Sequence, residues 1–571
     1  MSEALSRSLS PRSIAMIGPA DELSAVIGAL RAFGYAWDLW PVTETGTAVA
    51  GLASVAGIAA LPGAPDLAYV GLRGAALRAA LEALAERGAG GAVCPHLDAA
   101  GLAELADLDP LPLPVFAGGL LSALSRLPLW PGVEAIRPSA RGPALLLSET
   151  GRLARFLSLR HGLPLACAVP LGGAAGPGLL PLAAQLLADE RVTVLAIQAD
   201  GPPAPPDCLE LGRLARQHGK AVIYWSRRLG PGPVALLQRA GIAHVEGPAA
   251  LVEALWILHL VGPLPANALA AMACGPGLVD WAKRLAAAQG LCFAPLGPRQ
   301  REGLARALPP GRAVDNPLDC AGLTDGDAVA LARVFTEMML GDAVLSLAVI
   351  RHVGEGGWTR AAQAAALARE HVGMPLALLA PNRAEMTEAR ALELLKAGVI
   401  PLAGLSPSIE ALRAAIEAGR LAPGGEALLL PRPGAEPPVV TGGAAVGALF
   451  GLELQLGEPG VAPMHLGLSA DPGFGYLAEL VTPAGARAAG LLPLSPRACR
   501  DLAAQLGLGA GQAEALAGLL GAVQAHVAAS DGAVAGLEIA LDLGHNGLAR
   551  ARHIELRAWS DTDHARRRTP E

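Results

Sequence analysis

The sequence predicts an α/β protein built from several parallel sheets. Short apolar runs, of the type found in strands buried on both faces, alternate with amphipathic helical patterns along most of the chain. Residues 142–247 show this alternation most clearly, with four predicted strands separated by helices. Strands and helices at this spacing describe parallel strands joined by crossover helices, whose ligands bind at the carboxyl ends of the strands.

Composition limits the possible classes of protein. A chain of 571 residues holds three or four domains at about 150 residues each. No apolar run approaches the ~20 residues of a membrane span, and no targeting leader opens the chain, so we expect a cytoplasmic protein. A net charge of -7 and only 3% aromatic residues argue against nucleic-acid binding. The seven cysteines show no CxxC spacing and are expected to be buried, reduced thiols.

The first predicted strand begins the chain's first α/β region. It covers residues 13–17, ends at Gly18 and is followed by a helix at 22–33 and a strand at 38–42. Further strand and helix patterns up to residue 94 complete a Rossmann-like run. A strand, glycine and helix in this order favour a nucleotide-type ligand only weakly, because many α/β folds carry the same turn for structural reasons.

The turn after the strand at 143–147 is the strongest candidate for a ligand site. This strand ends in Ser148-Glu149-Thr150-Gly151 and leads directly into a helix. The first N–H groups of a helix have no partner within it, and the helix dipole favours negative charge at that end. The turn is therefore predicted to bind an anion such as phosphate.

These motifs resemble the NDP-forming acyl-CoA synthetases, relatives of succinyl-CoA synthetase. The resemblance rests on the Ser148 turn, on the Leu171-Gly-Gly-Ala-Ala strand end and on the strand that closes at Asp200-Gly201. Family members convert acyl-CoA, NDP and phosphate to acid, CoA and NTP through a phosphohistidine. The resemblance implies phosphate binding by Ser148, Thr150 and Gly151, and a histidine-orienting carboxylate at Asp200.

The resemblance extends to the other regions in the family's domain order. It implies CoA binding through Gly18, Gly118 and Gly119, whose alternative is a set of structural glycine turns. A second ligase-like region carries Gly275-Pro276-Gly277 and Asn316-Pro317-Leu318-Asp319, whose alternative is a helix cap and a tight turn. The Asp471-Pro-Gly-Phe-Gly motif and Glu538 resemble the second half of an ATP-grasp domain, in which Glu538 would be a remnant metal ligand.

The predicted domains follow from this order. They are a Rossmann-like CoA-binding domain at 9–130, two flavodoxin-like ligase domains with parallel sheets at 140–262 and 266–421, a proline-rich linker at 422–438, and a truncated, α+β ATP-grasp-like domain at 439–560.

Several departures from the family pattern argue against the full reaction. The family's longer glycine-rich loop with the phosphorylated histidine is replaced by a short segment after Ser226 that contains no histidine. Thr43-Glu44-Thr45 stands where relatives have Asn-Pro-Lys, and no lysine follows Lys396. His244 lies near the next strand and is not expected to substitute. Gly544-His545-Asn546-Gly547 favours a hairpin turn over a phosphohistidine loop.

Three functions remain open. The first is a CoA- or acyl-CoA-binding relative that lacks the full ligase reaction and acts as a regulatory or structural subunit, a pseudoenzyme in an oligomer. The second is an active acid-CoA ligase completed by a partner subunit that contains an ATP-grasp domain. The third is an acyl or carbamoyl transferase that uses phosphate at the Ser148 turn. CoA or a CoA thioester is the expected ligand, whereas ATP, ADP and Mg²⁺ are not expected.

Overall fold

The computed structural model confirms the α/β class. It describes residues 2–44, 46–97, 101, 113–132, 136, 138–172, 176–323, 326–351, 355–419, 428–431, 450, 452–454, 463–471, 473–530, 533–543 and 549–558. These residues form four sheets and 16 α-helices. They divide into two compact units: residues 1–201, 210–227 and 242–420 form the first, and residues 202–209, 228–241 and 421–571 form the second. In the described residues, no helix is both long and apolar enough to span a membrane.

The first sheet has five parallel strands in the order β2-β1-β3-β4-β5. Its strands are β1 (Ser13–Ile17), β2 (Asp38–Val42), β3 (Leu67–Val70), β4 (Ala92–Cys94) and β5 (Val115–Ala117). The helices of this region are α1 (Ser2–Leu9), α2 (Ala20–Ala32) and α3 (Gly74–Glu86). Strands β1, β3, β4 and β5 are buried along their whole length, as their continuous apolar runs predict.

The second sheet has seven strands in the order β12-β11-β10-β8-β9-β6-β7. Its strands are β6 (Leu120–Ser122), β7 (Leu127–Leu129), β8 (Gly142–Leu147), β9 (Cys167–Pro170), β10 (Val192–Gln198), β11 (Ala221–Trp225) and β12 (Ala243–Val245). Strands β8 to β12 are mutually parallel, whereas β6 runs antiparallel to β7 and β9. The helices that follow these strands along the chain are α4 (Arg152–Leu159), α5 (Leu179–Ala188), α6 (Pro205–Gln217), α7 (Pro231–Ala240) and α8 (Pro248–Leu260).

The third sheet has five parallel strands in the order β14-β13-β15-β16-β17. Its strands are β13 (Leu269–Ala273), β14 (Leu318–Asp319), β15 (Leu345–Val349), β16 (Leu376–Ala380) and β17 (Ile400–Ala403). Its helices are α9 (Pro276–Ala288), α10 (Pro298–Ala307), α11 (Ala328–Met339), α12 (Glu355–Val372), α13 (Glu388–Lys396) and α14 (Leu405–Gly419). The predicted passage from a strand through Gly275-Pro276-Gly277 into a helix is confirmed.

One apolar core joins the second and third sheets. It includes residues of β8, β10 and β11 from one sheet and of β13, β15 and β16 from the other. Helices α8 and α14 pack together within it. Residues 250–258 of α8 are all buried because this helix is apolar on every side, with Glu253 as its one charged residue. In parallel sheets covered by helices in this way, ligands bind at the carboxyl ends of the strands.

The second unit contains a mostly antiparallel sheet in the order β18-β23-β22-β19-β20-β21. Its strands are β18 (Glu453–Leu454), β19 (Met464–Asp471), β20 (Gly475–Val481), β21 (Arg487–Leu491), β22 (Val534–Leu543) and β23 (Ala549–Ala558), with helices α15 (Pro496–Gln505) and α16 (Ala510–Ala529). Helix α7 belongs to this unit, where Arg239 donates to the carbonyls of Leu491 and Pro493 at 3.0 and 2.8 Å. The two longest strands of this sheet, β22 and β23, pair in antiparallel fashion.

Candidate functional site

The Ser148 turn lies where the sequence predicts it, between the end of β8 and the start of α4. Its backbone is held by Gln198, the buried last residue of β10. The N–H of Ser148 donates to the Gln198 carbonyl oxygen at 2.9 Å, and the N–H of Glu149 donates to Gln198 Oε1 at 3.0 Å. Two of the turn's donors are thus satisfied inside the protein.

The next two backbone donors of the turn remain available. The N–H groups of Thr150 and Gly151 have no hydrogen-bond partner within the described part of the chain. Gly151 caps α4, and the turn is at least partly exposed at each residue. An anion would therefore meet two N–H groups at the positive end of an eight-residue helix.

The charges around the turn form a network of three side chains. Arg152 Nε donates to Glu149 Oε2 at 2.6 Å, and Arg152 Nη2 donates to Asp200 Oδ1 at 3.3 Å. The hydrogen bond from Arg152 lowers the pKa of Glu149, whereas the hydrogen bond to Glu149 raises the pKa of Asp200. Asp200 is thus brought to the turn, but its neighbours here are an arginine and a second carboxyl group.

The structure brings one of the predicted CoA residues against this turn. Gly118 follows β5 with a φ of +83°, and its N–H donates to the Cys94 carbonyl at 2.9 Å. A Cβ at Gly118 would lie 3.0 Å from Thr150 Cγ2, so the backbone of Gly118 packs against the Thr150 side chain as closely as a glycine allows. The predicted CoA and phosphate positions therefore share one part of the first unit.

Gly119, the other glycine of that pair, has a packing explanation. A Cβ there would lie 2.8 Å from the Leu129 carbonyl oxygen and 2.9 Å from Trp130. Its φ of +146° also disfavours any other residue. Glycine at this position allows β6 and β7 to form a tight hairpin, which is the structural alternative for Gly119.

A carboxylate lies at the start of α2, beside Gly18. A Cβ at Gly18 would lie 3.3 Å from Gly71 Cα, and a Cβ at Gly71 would lie 2.9 Å from Glu22 Oε1. Glu22 Oε1 accepts from Tyr69 Oη at 2.6 Å and lies 2.9 Å from His96 Nε2. The close approach of Gly18 to Gly71 is typical of the glycine turn in a Rossmann-like nucleotide site. The negative charge of Glu22, by contrast, would repel the phosphates of CoA.

The Gly275 turn of the third sheet is fixed by Asp319. Asp319 Oδ1 accepts from the N–H of Gly275 at 3.0 Å and from the N–H of Ala321 at 2.9 Å. Gly275 has a φ of +115°, which glycine adopts readily, and a Cβ at Gly277 would meet open space. The two predicted motifs of this region are therefore in direct contact.

A cavity of about 260 Å³ lies beside this turn, between α9 and the segment that leads to β14. Its walls carry three carboxyl groups and two cations: Asp280, Asp315, Asp319, Lys283 and Arg312. Lys283 Nζ lies 3.5 Å from Asp315, and Arg312 Nη1 lies 3.9 Å from Asp319. Since carboxyl groups outnumber cations, the cavity does not favour a free phosphate.

Asn316 has a structural role in this arrangement. Its Oδ1 accepts from the N–H of Ala271 at 2.9 Å, and its Nδ2 donates to the carbonyls of Leu269 and Ala294 at 2.9 and 2.8 Å. The Asn316 side chain thus forms its hydrogen bonds with β13 and with the segment before α10.

The remaining predicted positions lie elsewhere. Residues 226–230 alone join β11 to α7, and none of them is a histidine. His244 is buried in β12, with Nε2 3.0 Å from the Ser226 carbonyl. Glu538 is paired with Arg557 Nη2 at 2.6 Å on the exposed side of β22. The 544–547 turn lies outside the described residues.

The sequence did not single out Glu22, Gln198 or Arg152, which shape these sites. Glu22 sits in the first turn of α2, where acidic residues are common, so its position gave no separate signal. Gln198 ends an apolar strand and was indistinguishable from a surface residue. Among the described residues, no group of three or more histidine, cysteine, aspartate or glutamate side chains is placed to hold a metal ion.

Solved structures of other proteins share this fold. The crystal structure of PH0766 from Pyrococcus horikoshii OT3 is 18% identical with a TM-score of 0.63, over 73% of this chain and 99% of that chain. The dinucleotide forming acetyl-coenzyme A synthetase 1 of Ca. Korarchaeum cryptofilum, in its apo form, is 15% identical with a TM-score of 0.61, over 73% and 97%. The structure of the same synthetase in complex with phosphate and ADP is 15% identical with a TM-score of 0.62, over 74% of this chain and 97% of that chain.

These likenesses confirm the fold that the resemblance implies. At identities of 15 and 18% they show a common fold and leave the activity of this chain open. No family model matches the chain, and no curated protein matches it by sequence.

Proposed function

We propose that this protein binds CoA or an acyl-CoA on the fold of the NDP-forming acid-CoA ligases and does not carry out the full ligase reaction by itself. Its role would then be that of a regulatory or structural subunit. The observation that carries the proposal is the short connection at 226–230, because it offers no histidine to receive a phosphoryl group.

The shared fold supports the ligand class. The Korarchaeum structures belong to a synthetase of acetyl-coenzyme A, one of them with phosphate and ADP bound, and the fold extends over nearly all of those chains. In this chain, Gly118, one of the predicted CoA residues, lies directly against Thr150 of the Ser148 turn. Glu22 lowers the expected affinity for a polyanion without closing the glycine approach at Gly18.

A calorimetric titration with CoA and with acetyl-CoA at fixed salt tests the proposal, since both ligands are polyanions whose binding is screened by ions. A dissociation constant on the order of micromolar supports a CoA-binding protein. Absence of binding at about millimolar ligand contradicts it and leaves a fold kept for assembly.

The Ser148→Asp variant tests the anion site of the turn. A carboxylate at the start of α4 repels phosphate by its like charge and competes with it for the positive end of the helix dipole, so phosphate binding should fall at least about tenfold. Ser158→Asp is the matched control, because it adds the same charge at the exposed far end of α4. Equal phosphate affinity in the two variants removes the Ser148 turn from the proposal.

The backbone N–H groups of Thr150 and Gly151, unpaired within the described residues, favour two further functions, both of which need a phosphate at this turn. An active acid-CoA ligase completed by a partner subunit would need this phosphate position and would obtain its nucleotide half-domain and histidine from the partner. A transferase of acyl or carbamoyl groups to phosphate would need the same position without a histidine. Product analysis with an acyl phosphate and CoA separates these two activities from a binding protein.

A further inference from the structure

Two cysteines meet at the carboxyl ends of neighbouring strands in the third sheet. Cys274 follows β13 and Cys320 follows β14, each one residue beyond the last pair of the register, Ala273 with Asp319. Their Sγ atoms are 3.6 Å apart. Both side chains are buried, Cys320 completely and Cys274 with 9% of its surface exposed.

The backbone already holds the two residues at a separation that a disulfide bond accepts. Neighbouring strands lie about 4.8 Å apart, and the Cα atoms of disulfide-bonded cysteines are about 4.4–6.8 Å apart. The N–H of Cys320 donates to the Ala273 carbonyl at 2.9 Å, which keeps the strand ends in register. Rotation of the two side chains is enough to bring the sulfur atoms from contact to bonding distance.

The other cysteines do not share this arrangement. Cys94, Cys167, Cys208 and Cys499 are buried without a second thiol in contact within the described residues, and Cys292 is exposed with Asn267 as its neighbour. The contact of two thiols is therefore particular to Cys274 and Cys320.

We propose that Cys274 and Cys320 form a redox-active dithiol, which a hydroperoxide or a small disulfide oxidises to an intramolecular disulfide bond. With hydrogen peroxide, the sulfur of Cys274 takes one oxygen atom to give a sulfenic acid and one water is released. The sulfur of Cys320 then displaces the hydroxyl group, so the S–S bond forms and a second water leaves. Two thiols lose two electrons and two protons, and the peroxide is reduced.

The order of these steps follows from burial. Cys274 is the only one of the two with exposed surface, so an oxidant meets it first. The hydrogen bond with Cys274, together with burial, raises the pKa of Cys320 well above its usual value. Cys320 therefore stays a thiol until the sulfenic acid of Cys274 is beside it.

The bond would act on the Gly275 turn of the third sheet. Gly275 and Asp319 are the immediate neighbours of the two cysteines and are joined by the hydrogen bond from Gly275 N–H to Asp319 Oδ1. Asp319 also forms part of the wall of the 260 Å³ cavity. A disulfide at this point fixes the Gly275 turn and that wall, and breaking it restores their freedom.

The test measures the thiols of the full-length protein at equilibrium. The protein is incubated in glutathione buffers of rising oxidised fraction, starting from both the reduced and the peroxide-treated forms, until the thiol content no longer changes. It is then denatured, alkylated, digested without reductant and analysed by mass spectrometry. We expect one cross-linked peptide pair joining Cys274 to Cys320, with the same midpoint from both directions, and slower amide exchange around Gly275 in the oxidised protein.

Variants identify the pair. Cys274→Ser and Cys320→Ser should each abolish the cross-link, whereas Cys167→Ser, a buried cysteine without a thiol neighbour, should leave it unchanged. Complete alkylation of both thiols in buffers that fully modify the exposed Cys292 overturns the proposal. A mixed disulfide with glutathione on Cys274 alone, with Cys320 still alkylated, overturns it as well.

Discussion

The Glu22 carboxylate lies beside the glycines that would admit a CoA-type ligand to the first sheet. Tyr69 and His96 fix it there through contacts of 2.6 and 2.9 Å. Burial of Tyr69 and its bond to Glu22 raise the pKa of the phenol, so Tyr69 stays a donor to the carboxylate at every ordinary pH. A ligand phosphate at the start of α2 would meet this negative charge.

The Glu22→Gln variant should bind CoA more tightly than the native protein. Removing one charge near a polyphosphate at an effective dielectric constant of about 20 removes a repulsion on the order of 1–2 kcal/mol, which is about tenfold in affinity. Asp21→Asn removes the same charge from an exposed neighbour in the first turn of α2 and should change the affinity less. Calorimetry with CoA measures both, and an unchanged affinity in Glu22→Gln places the ligand away from Gly18.

A second residue-scale feature is a buried charge cluster in the core shared by the second and third sheets. Glu253 of α8 accepts from Arg383 and from the N–H of Ala403, the latter at 2.9 Å. His161 Nε2 lies 3.8 Å from Glu253 and 3.3 Å from the Pro401 carbonyl. Burial raises the pKa of Glu253 to about 8 and lowers the pKa of His161 to about 4.

These two shifts give opposite dependences of stability on pH. A carboxyl group whose pKa is raised on folding stabilises the fold fully below its unfolded value, about 4.3, and this is lost as the pH rises towards 8. A histidine whose pKa is lowered loses its contribution as the pH falls from about 6.5 towards 4. Of these two groups, only Glu253 makes the free energy of unfolding depend on pH between about 6.5 and 8.

The free energy of unfolding of the native protein should therefore fall between pH 6.5 and 8, by at most about 1.4 kcal/mol per pH unit from this group. Glu253→Gln should flatten that slope, even though its overall stability is lower, because the glutamine does not titrate. Glu210→Gln, at an exposed carboxyl group, should keep the native slope. Denaturant unfolding at several pH values measures all three, and parallel slopes for native protein and Glu253→Gln contradict the assignment.

At the scale of elements, the sequence predicted strands and helices well but not the contacts between distant ones. The passage from β8 through Ser148 into α4 follows from local pattern, since an apolar run, a Ser/Thr/Gly turn and an amphipathic helix are adjacent in the chain. The approach of Gly118 to Thr150, by contrast, depends on how β5 and β8 are placed in two different sheets. No local pattern specifies that, so the predicted CoA and phosphate residues were assigned separately.

The segment before β14 shows the same limit. Asn316 and Asp319 were predicted together as one motif of the second ligase-like region, but the structure places only Asp319 at the Gly275 turn, whereas Asn316 bonds to Leu269 and Ala271 of β13. Only the three-dimensional structure shows that Asn316 links β13 to the segment before α10 with three hydrogen bonds. A sequence motif identifies residues that lie close together in the fold. Whether each of them binds a ligand or stabilises the fold depends on its hydrogen-bond partners.

Asn316→Ala should consequently act on stability. Removal of this side chain leaves the N–H of Ala271 and the carbonyls of Leu269 and Ala294 without their partner, at a cost of about 2–4 kcal/mol in the free energy of unfolding. Asp315→Ala changes its exposed neighbour and should cost less than about 1 kcal/mol. Thermal and denaturant unfolding measure the difference. Equal stability of the two variants would assign Asn316 to ligand binding instead.

For the whole molecule, fold and function are separable. The likeness to the structures of PH0766 and of the Korarchaeum synthetase covers 73 and 74% of this chain and shows a common fold. The common fold does not by itself supply the groups of a phosphoryl transfer: the connection after β11 has no histidine, and Glu538 is paired with Arg557. Apolar pattern specifies the fold at many positions, whereas a catalytic activity depends on a few residues that this pattern does not specify.

The last prediction concerns the phosphoenzyme. Purified protein incubated with Mg²⁺ and ATP labelled at the γ-phosphate should acquire no acid-labile, base-stable phosphohistidine, because the connection at 226–230 supplies no acceptor. If label does appear, His545 is the residue to examine, since Gly544-His545-Asn546-Gly547 has the sequence form of a phosphohistidine loop. His545→Gln would then lose the label while His553→Gln, a change on the neighbouring strand β23, would keep it. Label that depends on His545 would contradict the proposal of a binding protein and favour an active ligase whose histidine lies in the C-terminal region. Absence of label together with measurable CoA binding would support a subunit that binds CoA without transferring phosphate.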